Sequence, residues 1–145
     1  MKWSKLVDRC FLLLSLVGMA KSIALHTSVI YLSPSSPLPK HRGLDIGIFI
    51  VWGVAAYTLQ ARFPLKSENW LKVISQYCPL WMKILFLCIL AYGTVVGLSY
   101  WLLTIESGFA IENHDYWWLR QASAGLIVMY SMAATIFYSA LKVLE

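Results

Sequence analysis

The chain has 145 residues, of which 59% are hydrophobic, 14% aromatic and 13% charged, with a net charge of +5 and a mean hydropathy of +0.66. Soluble domains carry about 45–50% apolar and about 25% charged residues, so this composition excludes an ordinary globular enzyme, a disordered chain and a basic nucleic-acid module. Lipid is the expected solvent, and the length leaves room for about four spanning helices of about 20 residues with short connections. The expected fold is therefore an all-α integral membrane protein, a single four-helix transmembrane bundle over residues 1–145.

The first nine residues carry Lys2, Lys5 and Arg9, and an apolar run from Cys10 to Ala20 follows. That pattern would pass for a signal peptide cleaved after Ala20, but the apolar stretch resumes after Lys21 and continues to Leu32. Residues 10–32 are accordingly read as an uncleaved first span. Lys21 lies near its middle, where a lysine costs about 2.5–3.5 kcal/mol on insertion scales. It must snorkel, enter a polar cavity or line a path shared between subunits. His26 lies about a turn and a half farther on, with Ser22, Thr27 and Ser28 nearby, so the outer half of this span is its more polar half. Asp45 is a partner for Lys21 in charge but not in depth. At 1.5 Å per residue Lys21 lies about 16 Å below the end of its span, and Asp45 only about 3 Å inside the next.

Ser and Pro dominate the first connection, residues 33–42. A second span over 43–61 stops at Arg62, with Pro64 just beyond. In the second connection, 62–83, Trp70, Leu71, Ile74 and Tyr77 recur at helical spacing with polar residues between them. This predicts a short amphipathic helix over about 67–77, lying in the membrane interface between spans 2 and 3. It should end near Cys78, because the residue before Pro79 is pushed out of the helical region. Arg62, Lys66, Trp70 and Lys72 are the candidate contacts there to a cytoplasmic protein or to lipid headgroups.

The third span, 84–105, and the fourth, 121–141, contain no charge before Lys142. Between them Glu106, Glu112, His114 and Asp115 gather close to Tyr116, Trp117 and Trp118. These rings suit an aromatic belt at headgroup level with the acids in water, or a recognition loop for an external ligand or protein. A metal site would need the oxygen and nitrogen ligands to converge, which adjacent His-Asp residues do not secure. Small residues at four-residue spacing, Gly43 and Gly47, Gly93 and Gly97, and Ser131, Thr135 and Ser139, predict close helix packing within or between subunits.

With the N-terminus inside, Lys2, Lys5, Arg9, Arg62, Lys66, Lys72, Lys83 and Lys142 are cytoplasmic, against Lys40, Arg42 and Arg120 outside. That excess sets the expected orientation, with both termini in the cytoplasm of a bacterial inner membrane. Cys10, Cys78 and Cys88 form no CxxC pair and read as buried apolar thiols. Haem is not expected, since only His26 lies at membrane depth and axial ligation normally needs paired ligands. No P-loop, HExxH, dinucleotide fingerprint or GxSxG occurs.

The expectation is a non-enzymatic, cofactor-free membrane protein with no direct nucleic-acid contact. It would act through partners such as lipids, other copies of itself, and a cytoplasmic protein bound through residues 62–83. Small bacterial four-span proteins of bacteriocin immunity and phage defence share its size and layout, though no motif is held in common. The alternatives are a homo-oligomeric channel or small transporter with Lys21 in an anion-favouring path, and a structural subunit of a membrane complex.

Overall fold

A computed structural model describes residues 2–31, 42–63, 77–106 and 114–143. The described chain is all-helical: α1 is Lys2–Tyr31, α2 Arg42–Arg62, α3 Leu80–Glu106 and α4 His114–Val143. Three of these helices are long and apolar enough to cross a membrane, within Ser4–Tyr31, Leu80–Glu106 and Asp115–Val143. The expected interfacial helix lies outside the described residues, apart from Tyr77 in the turn before Pro79.

The helices run past the apolar spans. α1 takes in the basic segment before Cys10, α3 begins at Leu80, and α4 begins at His114. The stretch from Asp115 to Arg120, read from sequence as connection, thus forms the first turns of a helix. Hydropathy marks where side chains meet hydrocarbon, whereas backbone hydrogen bonding continues through the polar zone beyond it. Charges at the helix ends suit the macrodipole, with Asp45 and Asp115 in first turns and Arg62 and Lys142 in last turns.

α4 is the hub. It packs against each of the other three helices, and α1 also packs against α2. The burial follows this arrangement: 67% of the apolar window of α4 is buried, 28% of that of α1, and none of that of α3. Small residues let α4 take this position, with Ser123, Ala124, Ala133, Ala134, Ser139 and Ala140 all buried along it. A matching seam runs down α1 through Asp8, Ser15, Gly18, Ser22, the adjacent pair Leu25 and His26, and Val29, with steps of three, four or seven residues between its levels. Ser15 and Ser22, fully buried, donate to the carbonyls of Phe11 and Gly18 at 2.7 and 2.8 Å. Their hydroxyls are therefore satisfied within the helix, as a dry interior requires.

The main core joins Ile48, Val51 and Ala55 of α2 to Leu126, Tyr130, Ala133, Ile136 and Phe137 of α4. Two glycines make room for Tyr130. A Cβ on Gly18 would fall on its ring, and one on Gly47 would lie 2.8 Å from its hydroxyl. A second cluster joins Leu25 and Val29 of α1 to Tyr116 and Leu119 of α4.

The sequence expectation for the cysteines requires correction. Cys78 is buried, but Cys10 and Cys88 are exposed on the outside of the helices. In lipid an outward position is as apolar as the interior, so a thiol gains nothing by facing inward.

Candidate functional site

Polar side chains that link different helices occur toward both ends of the bundle. We call the end holding Lys2, Arg62 and Val143 proximal, and the end holding Tyr31, Glu106 and His114 distal.

At the proximal end Asp8, almost fully buried, accepts a hydrogen bond from Arg62 Nη2 at 3.1 Å. The Arg62 side chain is only 19% exposed, so this ion pair is shielded from water more than a typical surface pair. It ties the start of α1 to the end of α2. The charge singled out in sequence as a partner or lipid contact is thus engaged by an acid that the sequence reading did not select. Nearby, the Cys78 thiol meets Ser139 Oγ at 3.1 Å, and burial pushes its pKa above the ordinary thiol value, with the Ser139 hydrogen bond partly opposing that shift.

Toward the distal end His26 joins three helices. Its Nδ1 lies 2.8 Å from Ser123 Oγ on α4, and its Nε2 lies 2.5 Å from the Tyr92 hydroxyl on α3. Ser123 Oγ donates its own proton to the Arg120 carbonyl at 3.0 Å. It must therefore accept from Nδ1–H, which leaves Nε2 to accept from the Tyr92 O–H. One neutral tautomer satisfies the whole chain of hydrogen bonds. The Tyr92 ring meets the imidazole edge-on, with centroids 5.5 Å apart. With both nitrogens engaged, the imidazole acts as a joint between helices and presents no open ligand position.

Two openings flank the line where α3 meets α4. That line is set by Gly93, where a Cβ would collide with the Val128 side chain, and by Gly97, which faces Gln121. On one side a groove of about 730 Å³ separates α2 from α3 and is floored by α4. Asp45 and Phe49 form one wall, Leu90 and Thr94 the other, with Trp118 and Gln121 in α4. On the other side lies a cavity of about 360 Å³ lined by Tyr92, Val95, Val96, Ser99, Tyr100, Leu103, Trp117, Arg120 and Gln121. There the Arg120 guanidinium carbon sits 5.4 Å from the centre of the Trp117 ring.

The remaining residues selected in sequence scatter rather than converge. Lys21 is exposed on the outside of the single bundle, while Asp45 is half-buried at the groove. Glu106 and Asp115 are exposed at the distal helix ends. Trp117 is half-buried against Arg120, and Trp118 is 46% exposed. The surroundings of Gly43 and His114, and residues Lys66, Trp70, Lys72 and Glu112, lie outside the described residues. Among the described residues no group of three His, Cys, Asp or Glu side chains could hold a metal ion.

Asp8, Gly18, Tyr92, Ser123 and Tyr130 were not singled out from sequence, and Arg120 figured there only as an outside charge. The seven-residue interval from Asp8 to Ser15 to Ser22 is the one signal that marks the α1 seam in advance. No family model matches the chain, and no curated protein or solved structure matches it.

Proposed function

We propose that the chain is a non-enzymatic membrane subunit that acts through other proteins, with α3 as its main docking element. In this reading all four helices cross the membrane, α2 included, and the proximal end faces the cytoplasm of a bacterial inner membrane. The observation that carries the reading is α3 itself. Its 27 residues include no buried one, although α4 beside it is the most buried helix of the fold. The half-buried positions Met82, Phe86, Ile89, Gly93, Val96 and Tyr100 form one stripe, and this stripe faces α4. On the opposite side Leu87, Leu98, Leu102 and Ile105 are each more than half exposed.

The polar side chains of α3 suit a helix surrounded by apolar groups. Thr94, Ser99 and Thr104 each donate at 2.8 Å to a carbonyl four residues earlier, so none needs water. Lipid alone could cover such a helix, and a partner helix could pack on it without further polar contacts. The sensor and the immunity or defence-type subunit both fit this layout, with signals leaving through the basic connection 62–83.

Isolation from native membranes in mild detergent, together with flux measurements on liposomes holding only this protein, tests the proposal. Co-isolation of a second protein at fixed stoichiometry and absence of selective flux are expected. Selective flux lost in Lys21→Met would replace this reading with a homo-oligomeric channel, its path running between copies.

A further inference from the structure

We propose that the distal cavity between α3 and α4 binds an anionic phospholipid, with the headgroup phosphate on Arg120 and Gln121 and one acyl chain against Val95, Val96 and Leu103. This site is independent of the partner-docking reading.

Arg120 is the first ground for it. The residue is half-buried in a helix, and among the described residues its guanidinium meets the face of Trp117 but no carboxylate within salt-bridge distance. The Trp117 ring attracts the cation yet leaves the in-plane N–H donors unused, and these match a phosphate in paired geometry. Gln121, next in the chain, brings an amide to the same cavity. By contrast, the Tyr92 hydroxyl is engaged with His26, and the Ser99 hydroxyl with the Val95 carbonyl at 2.8 Å. Tyr100, which also lines the cavity, has an interaction of its own, so Arg120 and Gln121 are the donors best placed for a ligand.

Depth is the second ground. Arg120 lies six residues from the start of α4, about 9 Å along the axis. If the membrane is set with Lys83 and Lys142 at its proximal face, about 20 residues of α3 and α4 fill the hydrocarbon. Arg120 then lies at the distal boundary, where lipid phosphates are found. Val95, Val96 and Leu103 give the wall an apolar stretch that suits a hydrocarbon chain rather than a soluble ion. At about 360 Å³ the cavity is within the usual range for small-ligand sites. With no carboxylate among the described residues paired to Arg120 to receive an ammonium group, the site favours a net-negative headgroup over a zwitterionic one.

The test reconstitutes the full chain in nanodiscs of phosphatidylcholine doped with phosphatidylglycerol. Retained lipid is read by native mass spectrometry. Retention of phosphatidylglycerol over phosphatidylcholine is expected, reduced about 10- to 100-fold in Arg120→Gln, as loss of a charge-assisted hydrogen bond implies. Arg120→Lys should restore part of it. Equal retention by the wild type and a correctly folded Arg120→Gln would overturn the proposal. So would displacement of the lipid by millimolar inorganic phosphate, which would make this an ion site. A photoreactive phosphatidylglycerol used with the wild type keeps the test decisive should Arg120→Gln misfold. Adducts in the segments 95–103 and 117–121 support the site, and adducts spread evenly over all helices refute it.

Discussion

Gly18→Ala should loosen the bundle, and the loss should depend on one side chain. A Cβ at this position would fall on the Tyr130 ring, which is 2% exposed and has Gly47 behind its hydroxyl. The ring has little room to retreat, so the strain belongs at the upper end of the usual overpacking range, about 3 kcal/mol. Alanine regains up to about 1 kcal/mol of helix propensity over glycine, leaving a net loss of about 2 kcal/mol. In a Tyr130→Ala background the same Cβ meets no ring, and Gly18→Ala should become neutral or mildly stabilising. Unfolding of the four proteins by SDS titration from a mild detergent, followed by circular dichroism, gives the double-mutant cycle. A neutral Gly18→Ala in both backgrounds would refute the close α1–α4 approach on which the fold rests.

Other substitutions probe the remaining joints. Tyr92→Phe removes one hydrogen bond from His26 and should cost about 1 kcal/mol in the same assay, whereas His26→Ala, which leaves Ser123 and Tyr92 without that partner, should cost about 2–3 kcal/mol. Asp8→Asn should destabilise by about 1–3 kcal/mol, and the exchange Asp8→Arg with Arg62→Asp should recover part of the loss. Cys78, buried with its thiol pKa raised, should resist a membrane-permeant maleimide near neutral pH, and its labelling should accelerate only above the ordinary thiol pKa. Cys10 and Cys88, exposed on the helices, should remain accessible to a lipid-soluble reagent. Rapid labelling of Cys78 at neutral pH would contradict the packing around Ser139.

The four helices were readable because a long uncharged run has few alternatives to a helix in lipid. Their ends were less so, since residues such as Trp117 and Arg120 suit a headgroup layer equally well as loop or as helix. Inward and outward faces were the least legible. In a water-soluble fold burial and apolarity coincide, but here Leu98 is exposed while Ser15 and Ser22 are buried, so hydropathy does not orient the helices. His26 was recognisable as an exception within its span. Its partners Tyr92 and Ser123 lie 66 and 97 residues away, and no local pattern connects them.

The central claim is that α3 holds to its own bundle along one stripe and offers the opposite stripe to a partner. A photoreactive amino acid placed singly along α3 in native membranes tests this most directly. Positions 87, 98 and 102 should cross-link to a second protein, and position 89, half-buried against α1 and α4, should cross-link only within the same chain. Lipid adducts alone from the outward stripe, or protein adducts spread equally around α3, would contradict the account.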